Sequence, residues 1–130
     1  MRILQPQGWE RPRGYSNGIE AEGRLVFVAG QIGWDNGQFK AKDFAGQFRQ
    51  VLVNTIAVLK EAGAGPEHVV RMTWFVTSRE EYTASLGEVG AAWRELMGRN
   101  YPTMAVIIVS GLVELEAKVE IETTAVVPRA

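Results

Sequence analysis

One glutamate near the end of the chain, Glu120, is the residue whose type could support acid–base chemistry, whereas we interpret its neighbour Glu122 as a solvated surface residue. Glu120 and Glu122 lie in segment 118–127, where apolar and polar residues alternate. A period of two predicts a β-strand and places both carboxylates on one face. A carboxylate held beside a substrate can take up or deliver a proton. On spacing alone, charges on an outer sheet face are common, and the simpler interpretation is a solvated Glu120 paired with Lys118 or with a residue of a neighbouring strand.

The other reactive residue types narrow the chemistry. The chain has no cysteine, which excludes disulfides, thiolate nucleophiles and cysteine-ligated metals. Its single histidine, His68, lies in a predicted turn with no acid or nucleophile at a diagnostic spacing, so we interpret it as a surface residue. The acidic residues are scattered rather than clustered, and we therefore expect no metal site.

Size and charge restrict the class of protein. The 130 residues are 46% hydrophobic and 22% charged, which is typical of one globular domain, residues 1–130, with an irregular N-terminal arm at 1–14. The 14 basic and 15 acidic residues form no basic run, which disfavours a nucleic-acid partner. The N-terminus lacks an apolar signal stretch, and no segment approaches the roughly 20 apolar residues of a membrane span, so we expect a cytoplasmic protein without a membrane partner.

The elements that must position the glutamates follow from hydrophobic periodicity. Strands are expected at 16–22, 24–32, 69–77, 103–109 and 118–127. Apolar residues at spacings of three and four predict helices at 43–62 and 78–97, the second opened by a Ser-x-x-Glu capping box. Asn36-Gly37 predicts a hairpin turn between two extended segments.

This order predicts an α+β fold in which a mixed β-sheet carries both helices on one face. The opposite face includes the continuous apolar runs 25–29 and 106–109. Such runs suit strands that are buried on both faces. We therefore expect the open face to be covered by another subunit.

Several short motifs, in order and at matching spacing, resemble those of the RidA/YjgF family over about residues 14–127. Each motif is short, and the specificity comes from their combination. They are Gly14-Tyr15-Ser16, Val28-Ala29-Gly30-Gln31-Ile32, the first helix around Asn54, Val70-Arg71-Met72-Thr73-Trp74-Phe75-Val76, and Val119-Glu120-Ile121-Glu122.

The resemblance implies a chorismate-mutase-like fold and a homotrimer with a barrel-like core and small-molecule clefts between subunits. It implies hydrolysis of reactive enamines and imines to a keto acid and ammonia, without a metal or organic cofactor. Glu120 would be the catalytic residue, because it could position or activate a water. Tyr15, Gly30, Gln31 and Met104 would line the substrate site.

One position departs from the pattern of the family's active deaminases. In those proteins an arginine stands two residues after the proline that opens the fourth strand, whereas here Met104 follows Pro102 at that spacing. A guanidinium holds a substrate carboxylate with two N–H donors, and a thioether offers only adaptable apolar surface. The turn at 111–116 also differs from the family's more basic one.

Three functions follow from this pattern. The first is a deaminase for enamines, imines or similar molecules, whose substrate need not carry a carboxylate next to the reacting carbon. The second is a non-catalytic trimer that binds a metabolite or a partner. The third is a ribonuclease or translation inhibitor, which the balanced charge does not favour. Whether Arg71, Arg79 or Arg99 replaces the missing guanidinium stays open at this point.

Overall fold

The fold is that of a computed structural model, which describes residues 1–129. Its elements in chain order are β1 (Arg2–Leu4), β2 (Gly18–Glu20), β3 (Arg24–Gln31), α1 (Phe44–Glu61), β4 (Val69–Val76), α2 (Arg79–Ala84), α3 (Leu86–Met97), β5 (Thr103–Ile108) and β6 (Val119–Val127). A 3₁₀ turn at Pro66–His68 precedes β4 and contains the single histidine. The predicted strands and helices are therefore present, with ends shifted by one or two residues.

Four strands form the main sheet, in the order β3-β6-β4-β5. β6 runs antiparallel to both of its neighbours, whereas β4 and β5 are parallel. A parallel pair needs a long crossover connection, which α2 and α3 provide between β4 and β5. The sheet is therefore mixed, as the element order predicted.

The hydrophobic core lies between this sheet and the helices. β6 alternates as expected, and every second side chain from Val119 to Val127 is buried. Phe48 and Leu52 of α1 and Trp93 of α3 belong to the same buried cluster. Both long helices consequently pack on one face of the sheet, which confirms the predicted α+β architecture.

The opposite face of the sheet, called the open face below, is uncovered in the single chain. Leu25 and Phe27 of β3 are 62% and 72% exposed, whereas Val28, on the other face of the same strand, is buried. β3 is thus buried on one face only, because no second layer of this chain reaches it. The prediction that another subunit covers this face stays a prediction.

The second predicted helix is divided into α2 and α3 at Ser85. The Ser85 hydroxyl donates a hydrogen bond to the Glu81 carbonyl at 2.7 Å, and the Ser85 backbone leaves helical geometry with φ −105° and ψ 6°. A serine that bonds to the preceding turn competes with the helical ladder. The predicted start is confirmed, since the Ser78 hydroxyl accepts from the Glu81 amide at 3.1 Å.

Two further details differ from the expected hairpins. β1 lies inside the arm that was expected to be irregular, and it pairs with β2, which therefore does not join the main sheet. The turn at Asn36-Gly37 forms, with Asn36 at φ 54°, a conformation that asparagine tolerates. Only one bridge, between Asp35 and Gln38, flanks this turn instead of a full strand.

Gln47 of α1 fixes the chain at the start of β6. Its side chain is buried, and its amide nitrogen donates to the carbonyls of Glu116 at 3.0 Å and Ala41 at 3.3 Å. Its Oε1 accepts the Lys118 amide at 2.8 Å. One buried amide therefore satisfies three backbone groups, and those of Glu116 and Lys118 lie four and two residues before the candidate carboxylate, Glu120.

Replacing Gln47 by alanine should lower the free energy of unfolding by about 3 kcal/mol, because buried backbone groups lose their partners and a void remains. Urea denaturation at a fixed protomer concentration measures the change. Gln50→Ala on the same helix is the matched control, since the Gln50 amide bonds only to the neighbouring Asn54 side chain. Equal losses for the two variants would contradict the role assigned to Gln47.

Candidate functional site

Glu120 lies on the open face at the centre of the sheet, in register with Phe75 of β4. Beside it, the pairing of β3 with β6 is interrupted between Val28 and Gln31 by a bulge that includes Gly30. A Cβ atom added to Gly30 would lie 2.9 Å from Cδ of Glu120, and closer still to its Oε2. The carboxylate therefore rests directly on the Gly30 backbone, a space that a side chain would fill.

The Glu120 carboxylate has no hydrogen bond or ion pair with another residue in the range 1–129. Lys118, its predicted partner, instead bonds through Nζ to Glu81 Oε1 of α2 at 2.5 Å. The simple interpretation of a Glu120–Lys118 pair is therefore wrong. Glu122 lies on the same face, is exposed, and is in register with Thr73. A half-buried carboxylate without a partner keeps its acceptor oxygens available for a water or a ligand.

The end of β3 next to Glu120 is held by side-chain hydrogen bonds. Gln31 donates from Nε2 to the Ala29 carbonyl at 3.1 Å, and it is in register with Ile121, the neighbour of Glu120 in the chain. Asn54 of α1 donates from Nδ2 to the carbonyls of Ile32 at 3.2 Å and Trp34 at 2.8 Å. We call Glu120, Gly30 and Gln31 the carboxylate site.

Tyr15 and Met104 lie elsewhere, in a cavity of about 560 Å³ between the helices and the edge strand β5. The Ser16 amide donates to the Pro102 carbonyl at 3.0 Å, and the Ser16 hydroxyl donates to the Tyr101 carbonyl at 2.6 Å. These bonds hold Tyr15 beside the start of β5. We call this space the aromatic cavity; its walls include Tyr15, Trp74, Tyr82, Trp93, Tyr101 and Met104, together with Arg13 and Arg94.

The rings of the aromatic cavity form a continuous series of contacts. Trp93 stacks on Tyr101 with centroids 6.3 Å apart and planes 11° apart, and it also lies 5.9 Å from Trp74. Tyr82 meets Trp74 edge to face at 6.5 Å. The Tyr82 phenol is neutral near pH 7 and able to donate a hydrogen bond, and burial raises its pKa further. The cavity therefore has largely aromatic walls, and its polar groups include tyrosine hydroxyls and the two guanidinium groups.

Within one chain the carboxylate site and the aromatic cavity do not meet. Met104 is in register with Met72, whose side chain is fully buried beneath the helices, whereas Glu120 is in register with Phe75. Side chains in register share a face, so Met104 and Glu120 point to opposite sides of the sheet. Met104 and Glu120 are separated by three residues along the strands and by two strands across the sheet, so their Cα atoms are about 14 Å apart.

Sequence reasoning missed the two arginines of the aromatic cavity. Arg13 comes from the arm and Arg94 from α3, where it follows Gly90 by four residues. Residues four apart share a helix face, so the helical pattern held a signal for Arg94. Of the arginines considered as replacements, Arg71 lines a separate groove with Tyr15 and Met104. Arg79 and Arg99 do not line the aromatic cavity.

Two further properties concern cofactors and membranes. Within residues 1–129 no group of three or more His, Cys, Asp or Glu side chains is arranged to hold a metal ion. Among the helices of that same range, none combines the length and apolar character that crossing a bilayer requires.

Comparison with known proteins connects this geometry to a family. Residues 9–127 match the family described as Endoribonuclease L-PSP. The chain belongs to the RidA/YjgF family. A member of the Rid protein family from Yersinia pestis, YyfB, has the same fold with a TM-score of 0.82 and 33% identity, over 97% of this chain and 98% of that one. The resemblance inferred from the sequence motifs is thereby confirmed.

Relatives of known name show how far the likeness extends. A RutC family protein from Pyrococcus horikoshii is 34% identical over 113 residues, which are 85% of each chain. The human protein named 2-iminobutanoate/2-iminopropanoate deaminase is 27% identical over 114 residues, covering 86% of this chain and 79% of that one. One of these relatives is therefore named as a deaminase of imino acids.

Gly30→Ala should force the Glu120 carboxylate away from the bulge and lower the free energy of unfolding by about 1–2 kcal/mol. In a Glu120→Ala background the same substitution should cost at least about 1 kcal/mol less, because the clashing atoms are gone. Urea denaturation of the four proteins in this double-mutant cycle gives the coupling. Gly111→Ala is the control, since a Cβ there meets nothing within 4 Å. A cost that is unchanged by Glu120→Ala would show that the two residues do not touch.

Proposed function

We propose that the chain is a hydrolytic deaminase of enamine- or imine-type small molecules, with Glu120 as the catalytic residue. The observation that carries the proposal is the state of the Glu120 carboxylate. It is half-buried, lies on the bare backbone of Gly30, and has no partner among the described residues. A structural carboxylate at the centre of a sheet is normally paired, whereas a catalytic one is kept available.

Association of subunits supplies the missing part of the site in this proposal. The carboxylate site adjoins the exposed apolar residues Leu25 and Phe27, and the edge strand β5 exposes Ile107. Covering such side chains contributes about 1.5–3 kcal/mol each, which favours burial of the open face in a homotrimer. In that assembly the carboxylate site of one subunit faces the aromatic cavity of the next. A cleft between subunits is then lined by Glu120, Gly30 and Gln31 on one wall, and by Tyr15 and Met104 on the other.

The proposed reaction needs only a water and a proton carrier. Glu120 accepts a proton from the water while the water oxygen bonds to the C=N carbon and the π electrons of the C=N bond move to the nitrogen. The same carboxylate returns that proton to the nitrogen of the resulting carbinolamine. As the C–N bond breaks and the carbonyl forms, Glu120 carries the hydroxyl proton to the nitrogen, which leaves as ammonia. One imine and one water give one carbonyl compound and one ammonia.

A second candidate is a trimer that binds a small molecule without converting it. Met104 favours this function, because at its position the family's active deaminases have a guanidinium that orients the substrate carboxylate. The ribonuclease implied by the family's older description draws no support from a chain with 14 basic and 15 acidic residues.

Release of ammonia from 2-iminopropanoate and from larger imines, generated in situ, distinguishes these functions. Glu120→Gln should lower the rate by about 10²- to 10⁴-fold, because an amide cannot accept the proton from the water. Glu122→Gln is the matched control on the same face and should leave the rate unchanged. Met104→Arg should raise the rate for 2-iminopropanoate about tenfold relative to the larger imines, because it restores a carboxylate clamp.

The alternative outcomes are equally defined. If wild type matches buffer on every imine, the enzyme proposal is wrong. If only Met104→Arg becomes active, the scaffold is competent and the natural protein binds without hydrolysing these substrates.

A further inference from the structure

We propose that the aromatic cavity binds an organic anion with a flat apolar body, and that Arg13 and Arg94 supply the positive charge that position 104 lacks. This inference rests on the proposed function, in which the aromatic cavity forms one wall of the ligand cleft. It adds the chemical class of the ligand. It concerns binding and does not require that the bound molecule be hydrolysed.

Charge is the first argument for an anion. Arg13 and Arg94 are the charged side chains that line the cavity, and no aspartate or glutamate lines it. Neither arginine forms an ion pair with a carboxylate within residues 1–129, whereas Glu95, the neighbour of Arg94, is paired with Arg49. Two guanidinium groups without opposing carboxylates attract an anion, and guanidinium is the cation best matched to a carboxylate.

The placement of Arg94 is the second argument. A Cβ atom added to Gly90 would lie 3.3 Å from Nη1 of Arg94. The guanidinium therefore folds back along α3 over Gly90, and both residues line the cavity. Because Gly90 has no side chain, the charged group can lie close to the helix and still reach the cavity.

The walls of the cavity argue for the apolar body. Trp93 and Tyr101 lie nearly parallel, and Met104 adds a flexible thioether rather than a fixed charge. Flat rings prefer to stack on such surfaces or to meet them edge to face. The volume of about 560 Å³ is within the range of small-molecule sites and exceeds what a three-carbon acid fills. The missing arginine and the wide aromatic wall thus favour the same change in ligand, from a small acid to a larger aromatic one.

Binding of three stable probes tests the inference by calorimetry. The probes are 3-phenylpropanoate, its uncharged amide 3-phenylpropanamide, and propanoate, which has the charge without the ring. We expect 3-phenylpropanoate to bind about tenfold more tightly than either of the other two. In a Trp9→Phe/Trp34→Phe protein, whose remaining tryptophans Trp74 and Trp93 both line the cavity, the same ligand should change the fluorescence.

Variants separate the charge from the shape. Arg13→Gln and Arg94→Gln should each weaken binding of 3-phenylpropanoate about five- to tenfold and leave the amide unchanged. Arg99→Gln is the control, because Arg99 does not line the cavity. Gly90→Leu should fill the cavity and abolish binding of both aromatic probes, whereas Gly87→Leu, on the same helix with open space around it, should not.

Equal affinity for the carboxylate and the amide would overturn the inference, as would unchanged binding in both arginine variants. Absence of binding at millimolar 3-phenylpropanoate would also overturn it. These outcomes are independent of ammonia release, so a failed inference leaves the proposed deaminase reaction standing, and an inactive enzyme leaves the binding test valid.

Discussion

The alternation of side chains along β6 is the constraint on which the rest of the structure depends. β6 is a central strand, and a period of two sends Ile121 into the core and Glu120 to the open face. The same register carries across β4 to β5, where it places Met104 on the side of the helices. A shift of one residue would bury the glutamates and expose the core. The buried Gln47 amide, bonded at the start of the strand, helps to prevent that shift.

Much of the fold could be predicted from the sequence, because its signals are local. The period-two pattern of β6 and the capping serine Ser78 each specify an element without reference to distant residues. The pairing of strands and of charged side chains depends on residues far apart in the chain, and the predictions of such pairs were wrong. Nothing local indicates that β2 pairs with β1, or that Lys118 bonds to Glu81 rather than to Glu120. Ser85 divides the second helix through a bond that competes with the ladder, a subtle signal beside a strong apolar stripe.

The candidate site was predictable as a set of residues but not as an arrangement. Family motifs indicated Glu120, Gly30, Gln31, Tyr15 and Met104, whereas only the register shows that Glu120 and Met104 lie on opposite sides of the sheet. The arginines of the aromatic cavity could not be predicted in the same way, because they belong to the arm and to α3 and not to the strand that holds Met104. A charge lost at one position of a cleft can be supplied from another element, provided that both elements border the same space. In this protein the arm and α3 border that space with β5.

The central claim is that the two groups of site residues come together only between subunits. Cross-linking tests it directly, because the chain has no cysteine and each engineered thiol is unique. A Glu120→Cys/Met104→Cys protein treated with a short bismaleimide should give covalent trimers, whereas mixtures of the two single variants should give only covalent dimers. Within one chain the thiols lie on opposite sides of the sheet and about 14 Å apart by Cα, which blocks a short intrachain link. A double variant that gives only monomers, or a single variant that by itself gives covalent dimers or trimers, would contradict the claim.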